Sequence, residues 1–337
     1  GTFTQRGMSF PMTLTPGAPV FRRPQTPVGP FPYTTEEVSF SNGDAVLKGT
    51  LTMPADCDRK TPVLVMVTGS GLQNRDEELF GHKPFAVIAD AFARAGIATL
   101  RYDDRGFGES TGDVVLCTTE DLKNDALAGV KLLRDRFERV GVIGHSEGGT
   151  IALMLAGERQ VDFAVSLAGM IVSGAETLLA QNRRAFESAG LPESEVEAFA
   201  RLLSDTFTAI RTRAPLPSAD NYDITDALRK NYAAALPSFR TPYMEFFLGL
   251  DLSASLSGIT CPVMALNGTK DTQVQCDRNI AVLKAGLPSN SRSVIRAEDG
   301  LNHLFQHCVT GEVSEYKNIE ETFSPEVLSE MIAWIKT

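Results

Sequence analysis

The chain has 337 residues, of which 43% are hydrophobic and 22% charged, enough for one large domain with an insertion or for two domains. Its net charge of −10 and pI near 5.0 argue against a nucleic-acid partner. No apolar run approaches the roughly 18 residues that a membrane-spanning helix needs.

Residues Gly1 to Leu14 alternate loosely between apolar and polar and read as a hairpin-like piece. Thr15 to Tyr33 carries six prolines and reads as an extended connector or surface strap, since proline suits neither helix interiors nor central strands. Residues 1–33 therefore form an N-terminal segment, and 34–337 the main domain. The chain opens on Gly1 rather than Met, which points to a processed or trimmed start. Glu36 to Phe40 and Ala45 to Met53 are strands joined by Asn42-Gly43, a strong hairpin signal. Val63 to Val67 is continuously apolar, as expected of a strand covered on both faces.

From there strand and helix alternate. Pro84 to Arg94 is a helix closed by Gly96, Ile97 to Tyr102 a strand, and Thr119 to Phe137 a helix with apolar residues every three or four positions. Val140 to Ile143 is a strand, Ile151 to Ala156 lies in a helix, and Phe163 to Ala168 is a strand. This rhythm predicts a doubly wound, mostly parallel sheet. It fails between about 172 and 257, where helical stretches (174–189, 193–212, 226–235 and 243–248) alternate with prolines. That region reads as a helical lid inserted over the sheet edge. Strand Val263 to Leu266, a helix around Ile280 to Ala285 and strand Arg292 to Ile295 resume the pattern. A last helix begins at Ser324-Pro325, a cap followed by proline at the first helical position, and runs to Trp334.

The chemistry centres on Gly144-His-Ser-Glu-Gly148, a G-x-S-x-G pattern set between strand and helix. The glycines let strand and helix approach closely, and the sharp turn lifts the Ser146 hydroxyl above the sheet. A serine needs a base. Of four histidines, His145 adjoins Ser146 and should point into the fold. His82 reads as a loop or capping residue. His303 sits in a polar loop after the last strand and is the expected base, with His307 the alternative. Asp271, just past strand Val263 to Leu266, is the expected carboxylate, with Asp277 and Asp299 behind it. The order Ser, Asp, His along the chain fits a nucleophile-elbow hydrolase. The oxyanion hole would take the amide of Glu147 and, from the loop Thr68 to Leu72, that of Ser70, or else Gly71. Arg75 and Arg105 follow strands at their carboxyl ends. They read as ion-pair braces for the loops, with substrate-carboxylate binding as the sharper alternative. No metal-ligand spacing is seen among five cysteines, and no cofactor is needed. The cysteines are expected to be reduced. A Cys276–Cys308 disulfide is the alternative, and requires an oxidising compartment.

These segments resemble a known group. Val67-Thr-Gly-Ser-Gly-Leu-Gln-Asn-Arg-Asp76, Gly81-His-Lys-Pro-Phe85, Arg101-Tyr-Asp-Asp-Arg-Gly106, Gly144-His-Ser-Glu-Gly-Gly149, Ala265 to Asp271 and Asn302 to Gln306 are similar to bacterial α/β-hydrolases of the esterase and serine-aminopeptidase-like (dienelactone-hydrolase-like) group, and most to exported hydrolases of Bacteroidetes type. The resemblance runs from about Phe31 to the C-terminus and is weakest in the lid. It implies an α/β-hydrolase fold and Ser146, Asp271 and His303 as the triad. It also implies export to the periplasm or beyond, with a cytoplasmic location as the alternative, and Gly1 to Leu14 as the tail of a β-rich N-terminal region. One departure is Leu72-Gln-Asn74, where relatives usually carry Pro-Gln-Asp. The expected activity is hydrolysis of a short-to-medium acyl or aryl ester. Lid aromatics Phe186, Phe199, Phe207, Tyr243, Phe246 and Phe247 are candidates for an acyl pocket. One rival is a peptidase, with Glu245 or Glu176 holding a substrate ammonium. The other is a non-catalytic binding protein on the same scaffold.

Overall fold

The computed structural model describes residues 2–5, 8–11 and 21–337. Strands β1 (Thr2–Gln5) and β2 (Met8–Pro11) pair antiparallel as a small hairpin. The connector is described only from residue 21 onward.

The main sheet is assembled from β3 (Tyr33–Asn42), β4 (Ala45–Pro54), β5 (Val63–Val67), β6 (Ala98–Tyr102), β7 (Val140–His145), β8 (Ala164–Leu167), β9 (Val263–Gly268) and β10 (Val294–Glu298). Their order is β10-β9-β8-β7-β5-β6-β4-β3. The run from β10 to β6 is parallel, and β4 and β3 close one edge antiparallel through the Asn42-Gly43 turn. This is the expected α/β-hydrolase architecture. The hairpin strands extend further than their apolar cores suggested, because ladder bonds continue from Tyr33 opposite Pro54 to Asn42 opposite Ala45.

Helices cover both faces, which is why β5 is apolar throughout. Val63, Val65 and Val67 pack with α2 (Thr119–Arg134), α3 (Glu147–Gly157) and α8 (Cys276–Gly286). Leu64 and Met66 point the other way, towards α1 (Pro84–Arg94) and α10 (Pro325–Ile335). Successive strand side chains alternate between faces, so one five-residue strand feeds both cores.

Between β8 and β9 lies the helical insertion: α4 (Gly174–Ser188), α5 (Glu193–Thr212), α6 (Asp226–Phe239) and α7 (Pro242–Gly249). It has its own core, built on Phe199, Leu202, Leu203, Phe207, Leu228 and Tyr232. Helix α6 continues past Ala235 through Pro237, further than the proline suggested. A short helix, α9 (Val313–Tyr316), lies between β10 and α10. Strand β10 begins at Val294, two residues later than its apolar run suggested, because its pairing with β9 starts at Met264. Among the described residues no helix is long and apolar enough to cross a membrane. All five cysteines are free. Cys276 Sγ lies 3.4 Å from the Asn267 carbonyl and Cys308 Sγ 3.4 Å from that of Gly300, so the alternative disulfide is not formed.

Candidate active site

The turn between β7 and α3 leaves no room for side chains at two of its glycines. A Cβ on Gly144 would lie 1.9 Å from the Gly148 carbonyl oxygen, and one on Gly148 would lie 2.0 Å from that of Val67. Only glycine fits either place. Ser146 sits at the apex with φ 53° and ψ −120°, a conformation that costs a non-glycine residue on the order of 1–3 kcal/mol and is held by its surroundings. Its own N–H is anchored to the Leu167 carbonyl at 2.8 Å. Helix α3 starts at Glu147, earlier than its apolar pattern suggested, so the Glu147 amide is an N-terminal donor without an intrahelical acceptor.

His303 lies in the loop after β10, buried to 3% exposure. Its Nδ1 is 2.7 Å from Asp271 Oδ2, and the Asp271 side chain is fully enclosed in the loop after β9. That carboxylate is oriented from every side. Oδ1 accepts the amides of Gln273 and Val274 at 2.8 and 2.9 Å, and Oδ2 also accepts Asn267 Nδ2 at 2.9 Å. Ser146 and His303 open into one cavity of about 490 Å³ between sheet edge and insertion. Leu72, Leu79, Leu178, Met244, Phe247 and Leu304 give it an apolar wall, and Ser70, Gln73, Gln181, Gln273, Tyr243 and Glu78 supply polar groups. The Gly69 amide is taken by Glu77 Oε1 at 2.8 Å, which leaves Ser70 as the next amide along the loop at the cavity wall.

The remaining sequence candidates lie elsewhere. His82 is fully buried rather than a cap. Its ring nitrogens meet Thr322 Oγ1 at 2.9 Å and the Tyr316 carbonyl at 3.0 Å, which ties the segment before α1 to the C-terminal region. His307 is on the surface, paired with Glu321. Asp299 accepts the Thr269 hydroxyl at 3.2 Å, and Asp277 lies in the first turn of α8. Arg75 is engaged by Glu37, Thr50, Asp103 and Glu109, and Arg105 grips Asp125 through two bonds of 2.7 Å. Both lie outside the walls of the Ser146 cavity. Of the insertion aromatics only Tyr243 and Phe247 reach the cavity. Phe199 and Phe207 fill the insertion's own core, packed edge-on by Phe186 and Phe239. Glu245 is bonded to Arg213 and Glu176 to Arg278, and neither lines the cavity.

Three acids near the site make contacts that sequence alone does not assign, although Asp104 belongs to the charged cluster Arg101 to Arg105 expected beside it. Besides the amide that sequence points to, Glu147 has a carboxylate that accepts Thr119 Oγ1 and Tyr243 Oη, each at 2.6 Å, and burial pushes its pKa above the ordinary value against those donors. Asp104 accepts the Thr68 hydroxyl and the Gln73 amide, and burial pushes it up to about 8. Glu77, only 4% exposed with φ 54°, bonds His145. A polar run after a strand was the only signal for Glu77 and Asp104.

A model of the serine aminopeptidase S33 family matches residues 83–305. Esterase EstD of Thermotoga maritima is 35% identical over 124 residues, which cover 36% of this chain and 30% of that protein. Among solved structures, the esterase Pf2001 of Pyrococcus furiosus superposes with a TM-score of 0.56 at 18% identity, over 95% of this chain and 98% of that one. The proline iminopeptidase of Mycobacterium smegmatis gives 0.55 at 16%, over 89% and 98%. At such identities these two likenesses speak for the fold.

Proposed function

Because the chain belongs to the serine aminopeptidase S33 family of α/β-hydrolases, we propose that it is a serine hydrolase cleaving carboxylic esters through an acyl-Ser146 intermediate. The observation that carries this reading is the 2.7 Å bond between His303 Nδ1 and Asp271 Oδ2, with Ser146 and His303 in one cavity. Asp271 fixes the imidazole tautomer, leaving Nε2 as the basic nitrogen.

In the first step Ser146 Oγ forms a bond to the acyl carbon while its proton passes to His303 Nε2. The carbonyl oxygen takes the negative charge and faces the amides of Glu147 and Ser70. The tetrahedral adduct collapses, the bond to the alcohol oxygen breaks, and His303 returns its proton to that oxygen. Water then attacks the acyl-enzyme by the same sequence and releases the acid. The insertion acts as a lid whose Leu178, Met244 and Phe247 cover the acyl group. A cavity of about 490 Å³ suits a short-to-medium acyl or aryl group.

A second reading, removal of N-terminal residues from peptides, draws on the family and on Glu78, the acid in the cavity wall. Glu78 already faces Lys83 Nζ at 3.4 Å, so a substrate ammonium would have to compete with it. The ester reading is preferred for the largely apolar wall and for the engagement of Glu245 and Glu176 by arginines. p-Nitrophenyl butyrate is tested beside aminoacyl p-nitroanilides, with Ser146→Ala as control. Ester turnover lost in the variant, with amides untouched, supports the ester reading. Preferential amide cleavage overturns it in favour of the peptidase, and failure of Ser146 to react with a fluorophosphonate overturns both in favour of a binding protein.

A further inference from the structure

Glu77 lies outside the walls of the Ser146 cavity, yet three segments that form the site meet through it. Its backbone is in the left-handed region, and its side chain is 5% exposed. One oxygen, Oε1, receives the Gly69 amide at 2.8 Å and His145 Nδ1 at 2.9 Å. The other ring nitrogen, His145 Nε2, is 2.9 Å from the backbone carbonyl of His303. A carbonyl can only accept, so Nε2 carries a proton. Oε1 already accepts from Gly69, so Nδ1 carries one as well when Glu77 is ionised. The ring is then a buried imidazolium matched by a buried carboxylate. Burial alone pulls His145 down, but Glu77 and the His303 carbonyl more than reverse this, and its pKa lies above the ordinary value. Buried charges persist when paired and hydrogen-bonded on all sides, and here every proton of the ring has an acceptor.

The path runs from the loop that carries Ser70, through Glu77 and His145 beside Ser146, to the main chain of His303. The His145 ring also lies against that of His303, with centroids 4.7 Å apart. We propose that Glu77 is a positioning residue for the reaction, which through His145 sets the spacing of the oxyanion loop and of His303 around Ser146. This rests on the serine-hydrolase reading above. Misplacing reacting groups by about 1 Å costs on the order of 100-fold in rate, so the effect should fall on kcat rather than on substrate binding.

The test measures kcat and KM for p-nitrophenyl butyrate, and the rate of Ser146 labelling by a fluorophosphonate. It compares wild type, Glu77→Gln, Glu77→Ala, His145→Phe and the Glu77→Ala/His145→Phe double variant. Glu77→Ala should lose about 100-fold in kcat with KM within about threefold. Glu77→Gln keeps the size but removes the charge, so its amide can serve the Gly69 N–H or a neutral His145 Nδ1 but not both, and its kcat should fall between those of wild type and Glu77→Ala. His145→Phe fills the ring's place without its bonds and should match Glu77→Ala, and the double variant should be no worse than either. Should Glu77→Ala not fold, His145→Phe carries the same expectation alone. A kcat within threefold of wild type for the folded variants, or losses that multiply in the double variant, overturns the inference while leaving the serine-hydrolase reading intact. A wild type that neither turns over ester nor labels overturns both.

Discussion

The Tyr243 hydroxyl donates to Glu147 Oε2 at 2.6 Å, so helix α7 of the insertion is bonded to the residue that follows Ser146. Tyr243 also stacks on Phe247, with ring centroids 5.7 Å apart, and both rings face the cavity. Insertion and elbow are therefore joined at the wall of the cavity that Ser146 and His303 share. Tyr243→Phe keeps the ring and removes one donor to a buried carboxylate, which costs about 1–2 kcal/mol. The expected outcome is a several-fold higher KM for p-nitrophenyl butyrate, a lower melting temperature, and kcat changed less than KM. Steady-state kinetics and thermal denaturation check it.

Asp271→Asn should reduce kcat by about 10³–10⁴-fold with little change in KM. An amide nitrogen placed where Oδ2 meets His303 Nδ1 would donate to it, and the imidazole would then be held in the wrong tautomer. Circular dichroism should remain that of wild type. A kcat within tenfold of wild type would exclude Asp271 as the orienting group.

Gly144→Ala and Gly157→Ala separate close approach from ordinary helix preference. A Cβ at 144 would overlap the backbone of Gly148, which has no side chain to move aside, so this variant should fail to yield folded protein. At 157, at the end of α3, the nearest atom is Ile259 Cγ1 at 3.8 Å. There alanine should be neutral or stabilise by about 0.5–1 kcal/mol. Soluble yield and melting temperature distinguish the two.

Asp104 makes stability depend on pH. Burial raises its folded-state value to about 8, whereas the ordinary value is 3.8. A group whose folded pKa is raised holds its proton more tightly in the native state. Its contribution is complete below the unfolded value and is lost as pH rises through the folded one. Wild type should therefore lose stability between about pH 4 and 8 on this account, on the order of a few kcal/mol. In Asp104→Asn this part of the slope should vanish. Denaturant titrations at pH 5 and pH 8 measure it, and an unchanged slope in the variant would rule Asp104 out as its source.

The candidate site is legible in the sequence where its logic is local or follows from chain order. The strand, glycines and helix around Ser146 are contiguous, and Asp271 and His303 each follow a strand that ends beside it. Residues whose partners are remote in sequence were not legible. His82 precedes Pro84 and so resembles a helix entry, but its partners Tyr316 and Thr322 lie more than two hundred residues on. Glu77 has a left-handed backbone in a polar run, and nothing local announces that its carboxylate is buried. Strand β10 begins two residues past the start expected from sequence for a related reason. It lies at the sheet edge, half-buried, and carries Arg296 and Glu298, so its apolar signal is thin and pairing with β9 decides where it begins.

The segment before the sheet has an engineering consequence. Arg23 donates to the carbonyls of Lys317, Ile319 and Phe80, and Gln25 bonds the backbone of Thr322 and Phe323. A recombinant version cut after Gln25 would strip these donors and acceptors from the turn leading into α10 and unsettle a part of the molecule some three hundred positions away. Affinity tags and fusion partners are better joined ahead of Phe21, leaving this clasp whole.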